Sequence, residues 1–492
     1  MKILMVIVAA LLFVIPLSYP GWFFLGWLAI LPLLYVLEKS SGKKGVLLGW
    51  LFGFVFMAAT SYWLFIPIQS HTGIPVPIIL ILLVILFALL GLFYALWSYL
   101  YLFIKPNNRF SPFFVALSWT ALEYFRYTLL TVFPFGFAGY TQVSFSSLLQ
   151  FAELGGVFLL SFIVILFGGF IFNVLYHGNR KSILALIGLL IIILGAGYFR
   201  YYQVERFAYE EISTGVINTN VPQEDKWEPD MVKDNLQEIV DKAYVLEETD
   251  LIITPETSLT FDLLRNSYYK EIFLKKIEGH DTYFQVGSQA RGEEGREMYN
   301  SSFLISPRGE ILQRYNKMSL VPFGEYLPLE GLVNRLFDLN IGSQTPGREI
   351  VVFSNEFGSF INPICSEILN PDFIRKNAAR AQFIVNQSNE AWFGVSNLQR
   401  QMWTAAVFRA VENRRSVARS GNYARAGVVF PSGKTHFSTS PKTVGAQNSK
   451  VYLHQARTFY QRAGNFAGLG SLLILLLMVV IKGYRKWSKR NS

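Results

Sequence analysis

Ile361-Asn362-Pro363-Ile364-Cys365-Ser366-Glu367 contains the only cysteine of the 492-residue chain, and its reading decides the fold. An apolar run that stops at a thiol and passes into an acid-bearing polar turn reads as a buried strand ending at the edge of a sheet. A side chain held there is fixed by the sheet and still faces a pocket, which suits a nucleophile. A lone cysteine is equally often a small buried hydrophobe, so two upstream stretches are weighed with it. Leu251-Ile252-Ile253-Thr254-Pro255-Glu256-Thr257 sets a carboxylate, Glu256, just beyond a short apolar run. Tyr315-Asn316-Lys317 sets an ammonium after a hairpin-like stretch, 299–314, whose turn is Ser306-Pro307-Arg308-Gly309. Carboxylate, ammonium and thiol on three separate segments make an acyl-transfer set: a base, a cation for an oxyanion and a nucleophile.

Around these residues, from about 205 to 460, short apolar runs alternate with helical patterns. The runs near 212–219, 249–254, 282–288, 299–306, 359–364, 381–387 and 426–430 read as strands, and 229–248, 261–279 and 397–415 as helices. Strands apolar on both faces imply a sheet covered by helices, an α/β domain. In such folds, sites form where strands end.

The remainder of the chain has a different character. The sequence is 52% hydrophobic and only 16% charged, and the apolar excess gathers in residues 3 to about 200 and again at 467–481. A membrane helix needs about 20 apolar residues. By that measure 3–18, 21–37, 45–67, 75–104, 112–130, 147–176, 182–199 and 467–481 are expected spans. The first is kept as a helix rather than a signal peptide, since Ser18-Tyr19-Pro20-Gly21 lacks a small-x-small cleavage site. Lys39, Lys43 and Lys44, then Lys105 and Arg109, then Arg180 and Lys181, and finally the basic tail from Lys482 to Arg490 fall in alternate loops. The loops between, Pro67–Pro75 and Thr131–Ser146, carry no Lys or Arg. That alternation puts both termini in the cytoplasm and residues 205–460 on the outer side. The expected division is therefore a transmembrane helical domain of about seven helices over 1–204, a catalytic domain over 205–460, and a last helix with its tail over 461–492.

Several function classes drop out. The net charge of +10 is spread over loops, where topology explains it, so no nucleic-acid partner is expected. One Cys excludes an intrachain disulfide framework, and five scattered His offer no i,i+4 pair, so no metal or cofactor is expected. Glu123, Arg126 and Glu153 lie in or beside apolar segments, where ionisable groups are functional candidates by default. Glu123 and Arg126, three apart on a helix, are equally well placed for a local ion pair.

Tyr315-Asn316-Lys317 running on to Val321-Pro322-Phe323-Gly324-Glu325-Tyr326, together with Ser388-Asn389-Glu390-Ala391-Trp392-Phe393-Gly394, closely resembles the apolipoprotein N-acyltransferases, the membrane-bound branch of the nitrilase superfamily. The likeness extends to the stretch from Glu123 to Tyr140 and covers most of the chain. It implies a multi-pass α-helical membrane domain plus an αββα sandwich with a Glu-Lys-Cys triad, here Glu256, Lys317 and Cys365. It also implies supporting roles for Glu325, Glu367 and Trp227. For the chemistry itself, the backbone N–H of Ser366 is expected beside Lys317 at the oxyanion, and Trp227, Trp392 and Phe393 are expected substrate contacts. The family commonly has Tyr where this chain has Ser366 and Asp where it has Glu390. The activity implied is transfer of a phospholipid acyl chain, through a thioester, to the α-amine of a diacylglyceryl-cysteine. The donor expected is of phosphatidylethanolamine type, and the protein is expected to act as a monomer in a bacterial inner membrane. An apolar arm or lid is expected at 331–341. The triad chemistry alone also fits a membrane-anchored nitrilase-type amidohydrolase, with water resolving the thioester.

Overall fold

The computed structural model describes residues 1–107, 110–131, 133–246, 248–326 and 343–491; the expected arm at 331–341 lies outside them. The chain divides into a helical unit, Met1–Phe65, Pro75–Arg206 and Thr458–Ser492, and an α/β unit, Ile66–Ile74 with Phe207–Arg457.

Five helices among the described residues are long and apolar enough to cross a membrane: Gly42–His71, Val76–Ile104, Ala152–His177, Lys181–Glu205 and Phe466–Lys489. This is fewer than the eight expected. Residues 3–18 and 21–37 fall in shorter helices, Lys2–Ser18 and Leu25–Glu38. Ser111–Leu129 is a 19-residue helix whose Ser118, Thr120, Glu123 and Arg126 dilute its apolar character. The 147–176 stretch opens with a separate turn, Ser146–Leu149, and its main helix is broken at Gly155 and Gly156. The intramembrane charges anchor non-helical chain. Glu123 Oε1 accepts from the Ala138 N–H and from Trp119 Nε1, both at 2.8 Å, and Arg126 donates to the Phe135 carbonyl at 2.6 Å. Irregular backbone at membrane depth needs such internal partners, because lipid offers none. Glu153 takes a two-pronged contact from Arg200 at 2.6 and 2.9 Å.

Among the described residues the α/β unit has twelve strands: β1 (Glu210–Thr219), β2 (Leu251–Ile253), β3 (Tyr283–Arg291), β4 (Met298–Ile305), β5 (Ile311–Asn316), β6 (Val352–Asn355), β7 (Gly358–Ile361), β8 (Phe383–Asn389), β9 (Val417–Asn422), β10 (Gly427–Val429), β11 (Thr435–Ser438) and β12 (Gly445–Leu453). Their order is β5-β4-β3-β2-β1-β9-β8-β7-β6, with β12 beside β1, β10 beside β9, and β11 beside β10. The β1–β9 pairing is short, Asn218 with Gly421 and Thr219 with Asn422, so the path behaves as two half-sheets hinged there. Their inner faces meet: Ser302 of the first half bonds Gln387 of the second, and Asn362 Nδ2 reaches Ser302 Oγ at 2.6 Å. Helices cover the outer faces. Val232–Tyr244 turns Leu236, Ile239, Val240 and Ala243, the i, i+3, i+4, i+7 stripe, onto Ile217 and Ile252, and Ser267–Ile277 adds Phe273 and Ile277. Pro371–Ala378 and Leu398–Asn413 serve the other half. The layers are α, β, β, α, as the resemblance implied.

Three details differ from the sequence reading. The strand at 359–364 ends at Ile361, and Cys365 begins a short 3₁₀ helix, Cys365–Leu369. β9 was not expected, since Val417-Ala418-Arg419-Ser420-Gly421-Asn422 has no apolar run, yet all six residues are buried. Its polar side chains find buried partners, which periodicity does not reveal: Arg419 with Glu390, Ser420 with the Ile217 carbonyl, Asn422 with Asn389 and Thr219. The edge strands β6, β11 and β12 also went unread; β11 and much of β12 are solvated.

Candidate active site

Glu256 sits in the turn after β2. Thr254 Oγ1 and Ser258 Oγ, 2.6 Å apart, close that turn, and Thr257 holds φ +46°. Gly287 on β3 lets the turn pack close, since a Cβ there would stand 2.5 Å from Thr257 N and 2.7 Å from the Pro255 carbonyl. Lys317 follows β5, its N–H bonded to the Asn300 carbonyl at 2.8 Å. Cys365 stands at φ +50°. A left-handed conformation costs a non-glycine residue about 1–2 kcal/mol, so other groups must impose it.

Glu367 is one such group. Its carboxyl accepts the N–H of Met318 at 2.8 Å and of Ser319 at 2.9 Å on one oxygen, and of Ile364 at 2.7 Å on the other. The Tyr315 hydroxyl lies 2.9 Å from both oxygens. One buried carboxyl thus ties the Cys365 elbow to the loop after Lys317. Burial pushes it up to about 7, against the pull of those N–H donors.

The charged groups converge. Lys317 Nζ is 3.2 Å from Glu256 Oε1 and 2.8 Å from Glu325 Oε1, with the Lys317 side chain 1% exposed. Asn300 Nδ2 bridges the same two oxygens at 2.7 and 3.0 Å. Glu325 turns its other oxygen to the Val321 N–H at 2.8 Å. The remaining Glu256 oxygen accepts the Asn389 N–H at 2.6 Å, and the Asn389 carbonyl takes a long S–H contact, 3.9 Å, from Cys365. Carboxylate and thiol therefore meet on the two polar backbone groups of one residue. Burial alone would lower the Lys317 ammonium, but Glu256 and Glu325 together hold it well above the usual lysine range. Burial and the charge of Glu256 push the Cys365 thiol up to about 12, outweighing Lys317. At rest the sulfur is a thiol, so its proton must leave as it attacks.

Four residues here escaped the sequence reading. Lys226 is buried, and its Nζ bonds the Glu256 carbonyl at 2.9 Å; burial pushes its ammonium down to about 8, against Glu256 and Cys365. Lys226 thus sets a second buried ammonium near the charge of Glu256. Asn300, Ser388 and Asn389 are the others. A polar residue inside an apolar strand was the signal for Asn300, and adjacency to Trp227 was the signal for Lys226. The expected substrate contacts lie nearby in sequence but are more open. Trp227, directly after Lys226, is 38% exposed. Trp392 and Phe393 follow Glu390 in a short turn, Ala391–Phe393, both half-buried, and the Trp392 ring stands edge-on 4.4 Å from His71. Ser366, half-buried, follows Cys365 in the 3₁₀ helix.

Known proteins resemble the chain in both units. The family model for the apolipoprotein N-acyltransferase N-terminal domain matches residues 9–170, and that for carbon-nitrogen hydrolases matches 219–454. An apolipoprotein N-acyltransferase of Geobacter metallireducens is 29% identical over 481 residues, 94% of this chain and 91% of its own. One from Pseudomonas aeruginosa is 30% identical over 458 residues, 90% and 89% of the two chains. Among solved structures, the C. elegans NitFhit protein covers 50% of this chain and 62% of its own at 16% identity and TM-score 0.41. With both halves of its architecture matched and full-length relatives at this identity, the chain belongs to the apolipoprotein N-acyltransferase family.

Proposed function

We propose that the protein transfers an acyl chain from a membrane phospholipid to the α-amine of the diacylglyceryl-cysteine at an apolipoprotein N-terminus, through a thioester on Cys365. The observation that carries this reading is the meeting of Glu256 and Cys365 on Asn389, with Lys317 fixed between Glu256 and Glu325. Glu256 takes the thiol proton as the sulfur attacks the ester carbonyl. The Lys317 ammonium and the Ser366 N–H stabilise the oxyanion; one such donor is typically worth about 3–4 kcal/mol in the transition state. The tetrahedral adduct collapses, the ester C–O bond breaks, and the lysophospholipid alkoxide takes the proton back from Glu256. The acceptor amine then attacks the thioester, Glu256 receives its proton, and the thiol is restored as the amide forms. Trp227, Trp392 and Phe393 are proposed to contact the substrates, with phosphatidylethanolamine as the donor and the protein acting as a monomer.

Both substrates keep their chains in the bilayer, since extracting them would cost about 0.8 kcal/mol per CH₂. The alternation of basic and Lys/Arg-free loops supports a place in the bacterial cytoplasmic membrane, with both termini inside and the α/β unit outside. The test uses phospholipid with a labelled acyl chain and mass spectrometry of the full chain. A labelled, hydroxylamine-sensitive adduct on Cys365 is expected, discharged by a diacylglyceryl-cysteine peptide faster than by water and absent from Cys365→Ala. Normal transfer by Cys365→Ala overturns the reading.

A further inference from the structure

Beside the sulfur stands a second polar chain that the triad does not use. Ser388 Oγ, fully buried at the end of β8, lies 3.4 Å from Cys365 Sγ and 3.0 Å from Glu390 Oε1. Glu390 is held by the Arg419 guanidinium, which also bonds Asn386 Oδ1 and the Arg425 carbonyl. Asn386 returns to the elbow, donating to the Pro363 carbonyl at 2.6 Å and the Cys365 carbonyl at 3.4 Å. An arginine–carboxylate fork normally uses both oxygens. Here Oε1 serves Arg419 and Ser388 together, and the buried Oε2 has no hydrogen-bond partner among the described residues.

From this geometry we infer that Ser388 is a positioning residue whose single hydroxyl proton points to Glu390 while Cys365 is a thiol and turns to the sulfur as it becomes a thiolate. The inference deepens the acyl-transfer reading and rests on Cys365 as its nucleophile. A serine hydroxyl has one proton, and both of its neighbours are acceptors. A carboxylate outcompetes a neutral thiol for that proton, whereas a thiolate is itself a charged acceptor. The groups around the sulfur are Glu256 from the β2 turn, Lys317 beyond β5, Lys226 at the end of the short helix Gln223–Lys226, Ser388 of β8 and Glu390 just after it, with Arg419 of β9 bonded to Glu390. Burial and Glu256 make the thiolate costly, Glu390 adds to that cost, and Lys317 and the Ser388 hydroxyl reduce it. No bond is made or broken by the hydroxyl; only its hydrogen bond is redirected. Ser388 and Glu390 therefore act on the sulfur with opposite signs, which a merely structural role would not produce.

The test is the rate of iodoacetamide alkylation of the full chain in detergent micelles across a pH series. Adducts are read by mass spectrometry, and the single cysteine makes the site unambiguous. A shift of one pKa unit changes the thiolate fraction tenfold, and after the accompanying change in nucleophilicity about three- to fourfold in rate. Ser388→Ala is expected to slow alkylation at fixed pH about three- to tenfold, equivalent to an upward shift of about one to two units. Ser388→Thr, which keeps the hydroxyl, is expected to restore the rate, and Glu390→Gln to raise it above wild type. Wild-type rates in Ser388→Ala, or changes of the same sign in Ser388→Ala and Glu390→Gln, overturn the inference. Acylation by labelled phospholipid is measured on the same proteins. Failure of wild type to acylate overturns the acyl-transfer reading, while the alkylation series still decides the role of Ser388.

Discussion

Glu367→Gln separates stability from reactivity more sharply than any other single change at this site. The substitution keeps size and shape. The amide oxygen can still accept from the Met318 and Ser319 N–H groups, but the amide nitrogen is then turned toward the Ile364 N–H, donor against donor. Losing a hydrogen bond to a charged group costs about 1.5–3 kcal/mol, and a buried unsatisfied donor about as much again. Against this, burial has raised the carboxyl from 4.5 to about 7. Keeping it buried at neutral pH therefore costs the native state about 3 kcal/mol relative to the unfolded chain, and the neutral amide removes that cost. The opposing terms leave a net loss of stability of at most about 3 kcal/mol, while nothing offsets the loss at the elbow, because the lost Ile364 contact is one that holds Cys365 at φ +50°. The expected result is a melting temperature in detergent within a few degrees of wild type, with acyl-adduct formation on Cys365 slowed about 10- to 150-fold. Acylation at the wild-type rate would refute the role given to Glu367.

The same carboxyl predicts two pH trends of opposite sense. Its folded pKa is raised, so its contribution to stability is fully present below about 4.5 and is lost as pH rises through about 7; melting temperatures of wild type minus Glu367→Gln should fall across that window. Acylation by wild type should instead decline as pH drops below about 7, when a protonated carboxyl no longer accepts from all three N–H groups, and Glu367→Gln should lack that limb. Lys317→Met leaves Glu256 and Glu325 buried without the ammonium between them. Breaking a buried pair this way costs about 3–5 kcal/mol, so a lower melting temperature and no detectable adduct are expected. Gly287→Ala puts a Cβ 2.5 Å from Thr257 N in the turn that carries Glu256. Overpacking against backbone costs about 1–3 kcal/mol, and adduct formation should fall at least tenfold, with alkylation by iodoacetamide changing far less.

The sequence by itself determined the broad plan: apolar segments of spanning length, an α/β insert, and a thiol, a carboxylate and an ammonium each placed just beyond a strand. Those features are legible because they depend on near neighbours, such as the all-apolar β2 and the i, i+3, i+4, i+7 stripe of Val232–Tyr244. Glu325 and Glu367 came from motif likeness, and their geometry came from the fold. What only the tertiary structure decided is how these groups are held. Asn300 reaches Glu256 from 44 positions away, and Asn389 joins Glu256 to Cys365 from 133 and 24 positions away. The sequence around Lys226 and Ser388 marks the segments they lie in and not their partners, and β9 looks polar while lying wholly inside. A buried polar group is stable only with its partner in place, and that partner belongs to another strand. Local sequence records the group; folding supplies the partner, and with it the chemistry.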